Sequence, residues 1–273
     1  MKPTFALIGL PTDRHSSYLR GPAKGPAFIR AALACDGNTV ASEDGRELGL
    51  DLIINDCGDA PLREADGDDE IIERSVRAPL REGHCPILLG GDHAVTYPVL
   101  RAIHAERGPV DILHFDAHPD LYDDYQGNKR SHASPFARIM EQGLARRLVQ
   151  VGIRTLERRQ RAQVERFGVE IIPMRTFSPY AVPILEGPLY VSIDLDGLDP
   201  AVAPGVSHHE PGGLTVRDIL NVLHAQRAPL VGADIVELNP DRDINGMTAT
   251  VAAKLVRELC AYACSRTSSS DRC

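Results

Sequence analysis

The sequence predicts a three-layer α/β/α fold built on a mainly parallel sheet. Three observations carry this. Short runs rich in Val, Ile and Leu alternate with amphipathic stretches along the whole chain. Those runs are nearly continuous rather than alternating, which suits strands buried on both faces, as in a parallel sheet. No Pro/Gly-rich linker interrupts the 273 residues, so strand–helix–strand units follow one another and close with right-handed crossovers.

Taken in order, a strand over residues 5–10 starts directly after Met1-Lys2-Pro3-Thr4, and a helix follows over 27–34. Strand 52–55 leads to helix 70–81, strand 86–89 to helix 94–105, and strand 110–115 to helix 135–142. Strand 148–153 precedes helix 156–167. Strands 170–172 and 189–193 come next, then helix 216–225, strand 232–236 and helix 247–263. Residues 1–264 read as one domain with no internal repeat, and residues 265–273 as a polar, frayed tail. Two loops stand out, 120–134 and the Pro/Gly-rich 197–213. Both follow strands, so both are expected at the carboxyl edge of the sheet, where ligands bind in open α/β folds.

Apolar residues make up 43% and charged residues 25%, as in ordinary globular chains. Lys and Arg total 30 against 38 Asp and Glu, a net charge of −8 with no basic stripe. This argues against nucleic acid as a partner and is compatible with a small cationic substrate. No apolar run reaches the roughly 18 residues of a membrane span, and no signal-peptide pattern is present, so no membrane partner is expected. The six cysteines, at 35, 57, 85, 260, 264 and 273, form no CxxC pair and read as reduced thiols of a cytoplasmic protein. Cys260 and Cys264, four apart on a helix, read as small packing residues.

Three strand ends carry the chemistry. After PILLG comes Gly91-Asp92-His93, after VDILHF comes Asp116-Ala117-His118-Pro119-Asp120, and after LYVSI comes Asp194-Leu195-Asp196. With a side-chain period of two, Asp116, His118 and Asp120 can share one side of their strand end, as can Asp194 and Asp196. One Asp at a strand end is ordinarily a cap or turn residue. Four of them with two imidazoles, emerging from buried strands, would be destabilised by desolvation and mutual repulsion unless cations neutralise them. Two divalent ions match the four carboxylate charges. A carboxylate-rich set with a little imidazole favours Mn²⁺ over Zn²⁺, which prefers Cys and His. Two ions about 3.5–4 Å apart can make a shared water nucleophilic at neutral pH.

GGDH, DAHPD and SIDLDGLDP resemble the signature blocks of the ureohydrolase family, the arginases and agmatinases. SHASPFARIM, ARRLVQVGIRT, APGVSHHEPGGLTVRDILN, VGADIVELNPDRD and GMTATVAAKLVREL resemble its plant-type arginase branch in order and spacing, from Phe5 to about Ala263. The resemblance implies the arginase/deacetylase-type fold with a mainly parallel eight-stranded sheet and two Mn²⁺ per subunit. It implies that His93, Asp116, Asp120 and Asp194 hold one ion, and that His118, Asp116, Asp194 and Asp196 hold the other. It further implies a guanidinium-binding Glu237, a proton-shuttling His132, and Asp120 as partner of the tetrahedral intermediate. The expected reaction cleaves a guanidino group to urea and an amine, in a homo-oligomer, trimer or hexamer.

Arginine is the leading substrate, because the QGNKRSHAS loop resembles the plant-type version. Asn128, Ser131 and Ser134 are then candidates for the amino-acid end of the substrate. Asp123 and Asp124 add negative charge that would suit agmatine or another guanidino compound instead. Asp92 and His114 flank the ligand positions, as orienting groups or as core and capping residues. His208 and His209 fall on the same rim, as substrate contacts or as exposed loop residues, and the role of Arg154 does not follow from the sequence. Two other classes are weighed. A single-zinc deacetylase would lack the second-ion positions His118 and Asp196, and metal stoichiometry separates it. A non-catalytic binding module would turn over no guanidine.

Overall fold

The computed structural model describes residues 4–267. Among these, eight strands form one sheet: β1 (Thr4–Leu10), β2 (Ile53–Asp59), β3 (Cys85–Gly90), β4 (Val110–Phe115), β5 (Ala145–Ile153), β6 (Glu170–Pro173), β7 (Leu189–Asp194) and β8 (Leu230–Val236). Every pairing is parallel, in the order β2-β1-β3-β8-β7-β4-β5-β6. The helices between them are α1 (Gly25–Leu33), α2 (Asp68–Arg81), α3 (Thr96–Arg107), α4 (Pro135–Glu141), α5 (Arg158–Phe167), α6 (Val216–Ala225) and α7 (Met247–Thr267).

The strand order places the site. The chain builds β1 to β3, skips two places to lay down β4, β5 and β6 outward, and returns with β7 and β8 to fill the gap. The strands carrying GGDH, DAHPD, SIDLD and VELNP are therefore four neighbours at the centre of the sheet. Such a reversal of strand order leaves a crevice at the carboxyl edge.

Two cores flank the sheet. On one face Phe115, Val191 and Ile193 pack with Ile29 of α1, Leu220 of α6 and Leu255 of α7. On the other Leu88, Ile112 and Tyr190 pack with Val76 of α2, Leu100 of α3 and Phe136 of α4. Alternation along each strand divides the residues, so Asp116, Asp194 and Asp234 belong to the second face.

The structure corrects some boundaries. The second strand begins at Ile53 and runs through polar Asn55–Asp59, not 52–55, and it is largely exposed. It is an edge strand, where one side of the ladder needs no apolar cover. β6, at the other edge, is also only partly buried. The helix expected over 94–105 begins with a 3-10 turn at His93–Val95, capped by Asp92. The last helix continues through Thr267, and residues 268–273 of the expected tail lie outside the described residues. Ser265 stays in the helix, its hydroxyl donating to the Tyr262 carbonyl. Cys260 and Cys264 are buried in the core, as packing residues. No helix among the described residues is long and apolar enough to cross a membrane.

Candidate metal centre

Register lines up the acidic groups before any loop contributes. Phe115 of β4 pairs with Ile193 of β7, and Ile193 with Ile235 of β8. The next residues, Asp116, Asp194 and Val236, thus share a level at the sheet edge. Two residues below, His114, Ser192 and Asp234 form a second row across the same strands. Two of the five non-glycine residues with left-handed backbone among the described residues are Asp120 (φ 49°) and Glu237 (φ 65°). Such conformations cost free energy and persist where surrounding structure enforces them. Glycine is needed at Gly91, where a Cβ would collide with the Thr12 carbonyl, and at Gly197, where it would lie 2.8 Å from the Asp116 backbone.

The six ligand candidates gather into two clusters. In the first, His93 Nδ1 lies 3.4 Å from Asp116 Oδ2, 3.1 Å from Asp120 Oδ2 and 3.0 Å from Asp194 Oδ2. In the second, His118 Nδ1 lies 3.4 Å from Asp116 Oδ1 and 3.2 Å from Asp196 Oδ2. Asp116 belongs to both, one oxygen to each. Asp194 joins only the first, because its other oxygen accepts the Asp196 amide at 2.8 Å. The His118 amide similarly donates to Asp116 Oδ1 at 2.6 Å.

A buried chain of hydrogen bonds fixes the tautomer of His93. Asp234 accepts from the hydroxyls of Ser192 (2.6 Å), Tyr190 (2.6 Å) and Thr96 (2.7 Å). Having donated its proton to Asp234, the Ser192 hydroxyl accepts from His93 Nε2 at 2.9 Å. The lone pair of neutral His93 is then on Nδ1, facing the carboxylates. His93 Nδ1 and Asp116 Oδ2 are buried without a hydrogen-bond partner. Orphaned buried atoms of this kind carry a large desolvation cost, and a divalent cation satisfies both. The residues present therefore fit two hard divalent ions such as Mn²⁺. His114 flanks the cluster: its Nε2 lies 2.9 Å from Asp116 Oδ2 without an aligned hydrogen bond, and its Nδ1 accepts from Gln150 at 2.9 Å.

Without cations the centre holds protons. Burial opposes a charged imidazole, but the surrounding aspartates more than offset it and hold His93 and His118 well above the usual histidine range. Burial, then the charges of Asp196 and Asp116, pushes Asp194 well above the usual carboxylate range, while Asp196 rises to about 6, chiefly by burial. Each ion must displace such protons, so binding releases them and weakens as pH falls. With one proton released per ion, the apparent Kd for Mn²⁺ rises about tenfold per pH unit lost. Calorimetry in buffers of different ionisation enthalpy measures both quantities. A pH-independent Kd without proton release contradicts this picture.

The clusters form the floor of a cavity of about 230 Å³ whose lining includes Ser17, Tyr122, Tyr125, His132, Thr155, Glu157, Gln160, His208 and Glu237. Glu237 is buried, and its Oε1 accepts from the His93 amide at 2.9 Å and faces His132 Nδ1 at 2.8 Å. Burial opposes the His132 cation, but the Glu237 carboxylate lifts it to about 9. His208 lies over the site, its ring 5.2 Å from His132, whereas His209 turns away to the Pro204 carbonyl. Asp92 caps the turn at His93 and accepts the His15 amide at 2.8 Å.

Three expectations need correction. Asn128, Ser131 and Ser134 do not line the cavity. Asn128 Oδ1 accepts the Arg130 amide, Ser131 Oγ accepts the Ala133 amide, and both serines are buried. Asn128 Nδ2 also faces His15 Nδ1 at 3.3 Å, and the Ser134 hydroxyl is buried without a hydrogen-bond partner. The outer wall is built instead from Tyr122, Tyr125, Glu157 and Gln160. Arg154 acquires a role: its guanidinium donates to the carbonyls of Asp196, Gly197 and Glu210, tying the end of β7 to the 197–213 loop. Sequence reasoning missed Ser17, Ser192 and Asp234. The last two were detectable as polar residues inside apolar strands.

A fully parallel sheet with paired cation-binding clusters below a cavity with an acidic wall defines a binuclear metallohydrolase of the ureohydrolase class. A model described as "Arginase family" matches residues 3–261. Arginase 1, mitochondrial, of Arabidopsis thaliana is 52% identical, over 95% of this chain and 81% of that protein. Arginase 1, mitochondrial, of Oryza sativa subsp. indica is 49% identical, over 96% and 82%. The solved arginase of Medicago truncatula superposes with a TM-score of 0.90 at 50% identity, covering 96% of this chain and 87% of that one. The chain belongs to the arginase family. These relatives overturn the cytoplasmic placement, since the Arabidopsis and rice proteins are mitochondrial. Free thiols reflect reducing conditions and do not distinguish one reducing compartment from another.

Proposed function

We propose that this chain hydrolyses L-arginine to urea and ornithine. The observation that carries the reading is the pairing of two clusters built for divalent cations with a buried anion, Glu237, in the wall of the same cavity. His93, Asp116, Asp120 and Asp194 would hold one Mn²⁺, and Asp116, His118 and Asp196 the other. The bound pair supplies Lewis acidity and makes water nucleophilic at neutral pH.

The chain's own residues do the rest. Glu237 binds the guanidinium, whose delocalised charge resists deprotonation and must be held by an anion. Asp120, in the cavity floor, accepts a hydrogen bond from the tetrahedral species. His132 carries a proton in the free site. When a guanidinium takes over Glu237, the imidazolium loses the partner that stabilised it and delivers its proton to the leaving amine. Glu157, which accepts the Tyr122 hydroxyl at 2.8 Å, offers an anion to the α-amino group at the mouth. Residues 1–264 act as one folding unit, and subunits assemble as a trimer or hexamer.

A second reading, agmatine as the preferred substrate, is favoured by one observation. No Lys or Arg lines the cavity among the described residues, so a substrate carboxylate finds hydroxyls and amides rather than a cation. Urea release from arginine, agmatine, guanidinobutyrate and guanidine decides between them. The expected result is the highest kcat/KM with arginine; a higher value with agmatine overturns it. Glu157→Gln is expected to raise KM for arginine about fivefold with kcat within about twofold, the size of a solvent-screened charge pair. An unchanged KM removes Glu157 from the amine subsite.

A further inference from the structure

We propose that Ser17 is a positioning residue that clamps His132 Nε2 in both of its protonation states. The inference rests on the reading of His132 as the proton carrier. Ser17 Oγ lies 2.8 Å from His132 Nε2, and the Ser17 amide donates to the same atom at 3.2 Å. An amide N–H only donates, so Nε2 of the neutral ring is an acceptor and the proton sits on Nδ1, facing Glu237 Oε1. In the cation Nε2 carries a hydrogen, which the amide cannot accept. The hydroxyl can, because it donates or accepts by rotating its own hydrogen. Ser17 therefore supplies a partner for whichever form His132 adopts, and it does so in the cavity wall, where the transferred proton is used.

The loop bearing Ser17 is held without that side chain. The Thr12 carbonyl accepts the Asp92 amide and the His15 carbonyl accepts the His132 amide. Arg14 pairs with Asp66 at 2.8 Å and Arg20 with Glu64 at 3.1 Å. The Leu19 carbonyl accepts the Ser207 hydroxyl. A change of one hydroxyl thus leaves the loop in place and acts on the imidazole alone. The other ionisable groups facing His132 are Glu237 after β8, Asp120 after β4, Asp92 after β3 and His208 from the 197–213 loop.

Ser17→Ala removes the acceptor for the imidazolium and keeps the amide. In ¹⁵N-histidine-labelled protein loaded with diamagnetic Mg²⁺ in place of Mn²⁺, with His132 assigned by its loss in His132→Asn, the His132 titration midpoint is expected to fall by about one unit, the size of one charge-assisted hydrogen bond. The neutral ring keeps its Nδ1–H signature. Turnover of arginine is expected to show kcat about tenfold lower with KM within about twofold, and Ser17→Thr, which keeps the hydroxyl, to restore both readouts. An unmoved midpoint in Ser17→Ala, or a Ser17→Thr variant no better than Ser17→Ala, overturns the clamp. A lowered midpoint with unaltered kcat supports the clamp and overturns instead the shuttle role of His132.

Discussion

Asp116→Asn is expected to lose both metal ions and to lower kcat by about three orders of magnitude or more. Asp116 is the one carboxylate that faces both clusters, with Oδ2 toward His93 and Oδ1 toward His118. Asparagine keeps the volume and an acceptor for the His118 amide, so the loop after β4 has no reason to move. It removes one full charge from both sites, and its amide nitrogen cannot ligate. Burial opposes the Asp116 carboxylate, yet His114, His118 and His93 hold it well below the usual range, so it is ionised at every pH at which the enzyme would work. Without that anion each cluster keeps too little charge to repay the dehydration of a divalent ion. Elemental analysis after gel filtration in excess Mn²⁺ is expected to find about two ions per chain in the parent protein and none in the variant, with unchanged far-ultraviolet circular dichroism. Chelation of the parent should abolish urea release, and Mn²⁺ should restore it. Two retained ions with parental turnover in Asp116→Asn would sink the ligand assignment.

Glu237→Gln is expected to lower kcat/KM for arginine by two to four orders of magnitude, the range seen when one partner of a buried ion pair is neutralised. The shape of the wall survives, since glutamine retains an oxygen for the His93 amide. The guanidinium loses its buried counter-charge. The same change has a consequence for His132 that needs no substrate. Burial lowers the His132 pKa and the Glu237 carboxylate raises it, with the carboxylate prevailing at about 9. Removing the carboxylate charge takes away the largest influence that raises His132, so the midpoint is expected to fall. Histidine NMR across pH 5–10 reads this directly. A midpoint still near 9 in the variant would show that some other anion sets the protonation of His132.

Much of the site was legible in the sequence because its parts are local. A carboxylate or imidazole placed at the end of an apolar run needs only the strand's two-residue period to be aimed at the sheet edge, and GGDH, DAHPD and SIDLD each state that in a few consecutive residues. The interiors of most strands were equally plain, since parallel strands covered on both faces must be made of Val, Ile and Leu. The exceptions had physical causes. Polar Asn55–Asp59 forms a strand because it lies at an edge, and Asn128, Ser131 and Ser134 fall outside the cavity lining because a polar loop residue looks the same in sequence whether it faces a ligand or packs within its loop.

The chain's own chemistry therefore determined that acid, imidazole and apolar strand would meet, and that cations would be needed to stabilise the result. Which strands stand side by side was decided only by the folded topology, in which β7 and β8 return between β3 and β4. That choice brings Ser192 and Asp234 beneath His93 and closes the cavity with Tyr122 and Glu157. It also sets Ser17 against His132, 115 residues away along the chain. Pairings of this kind depend on loop packing across long sequence separations, and no short pattern of residues encodes them.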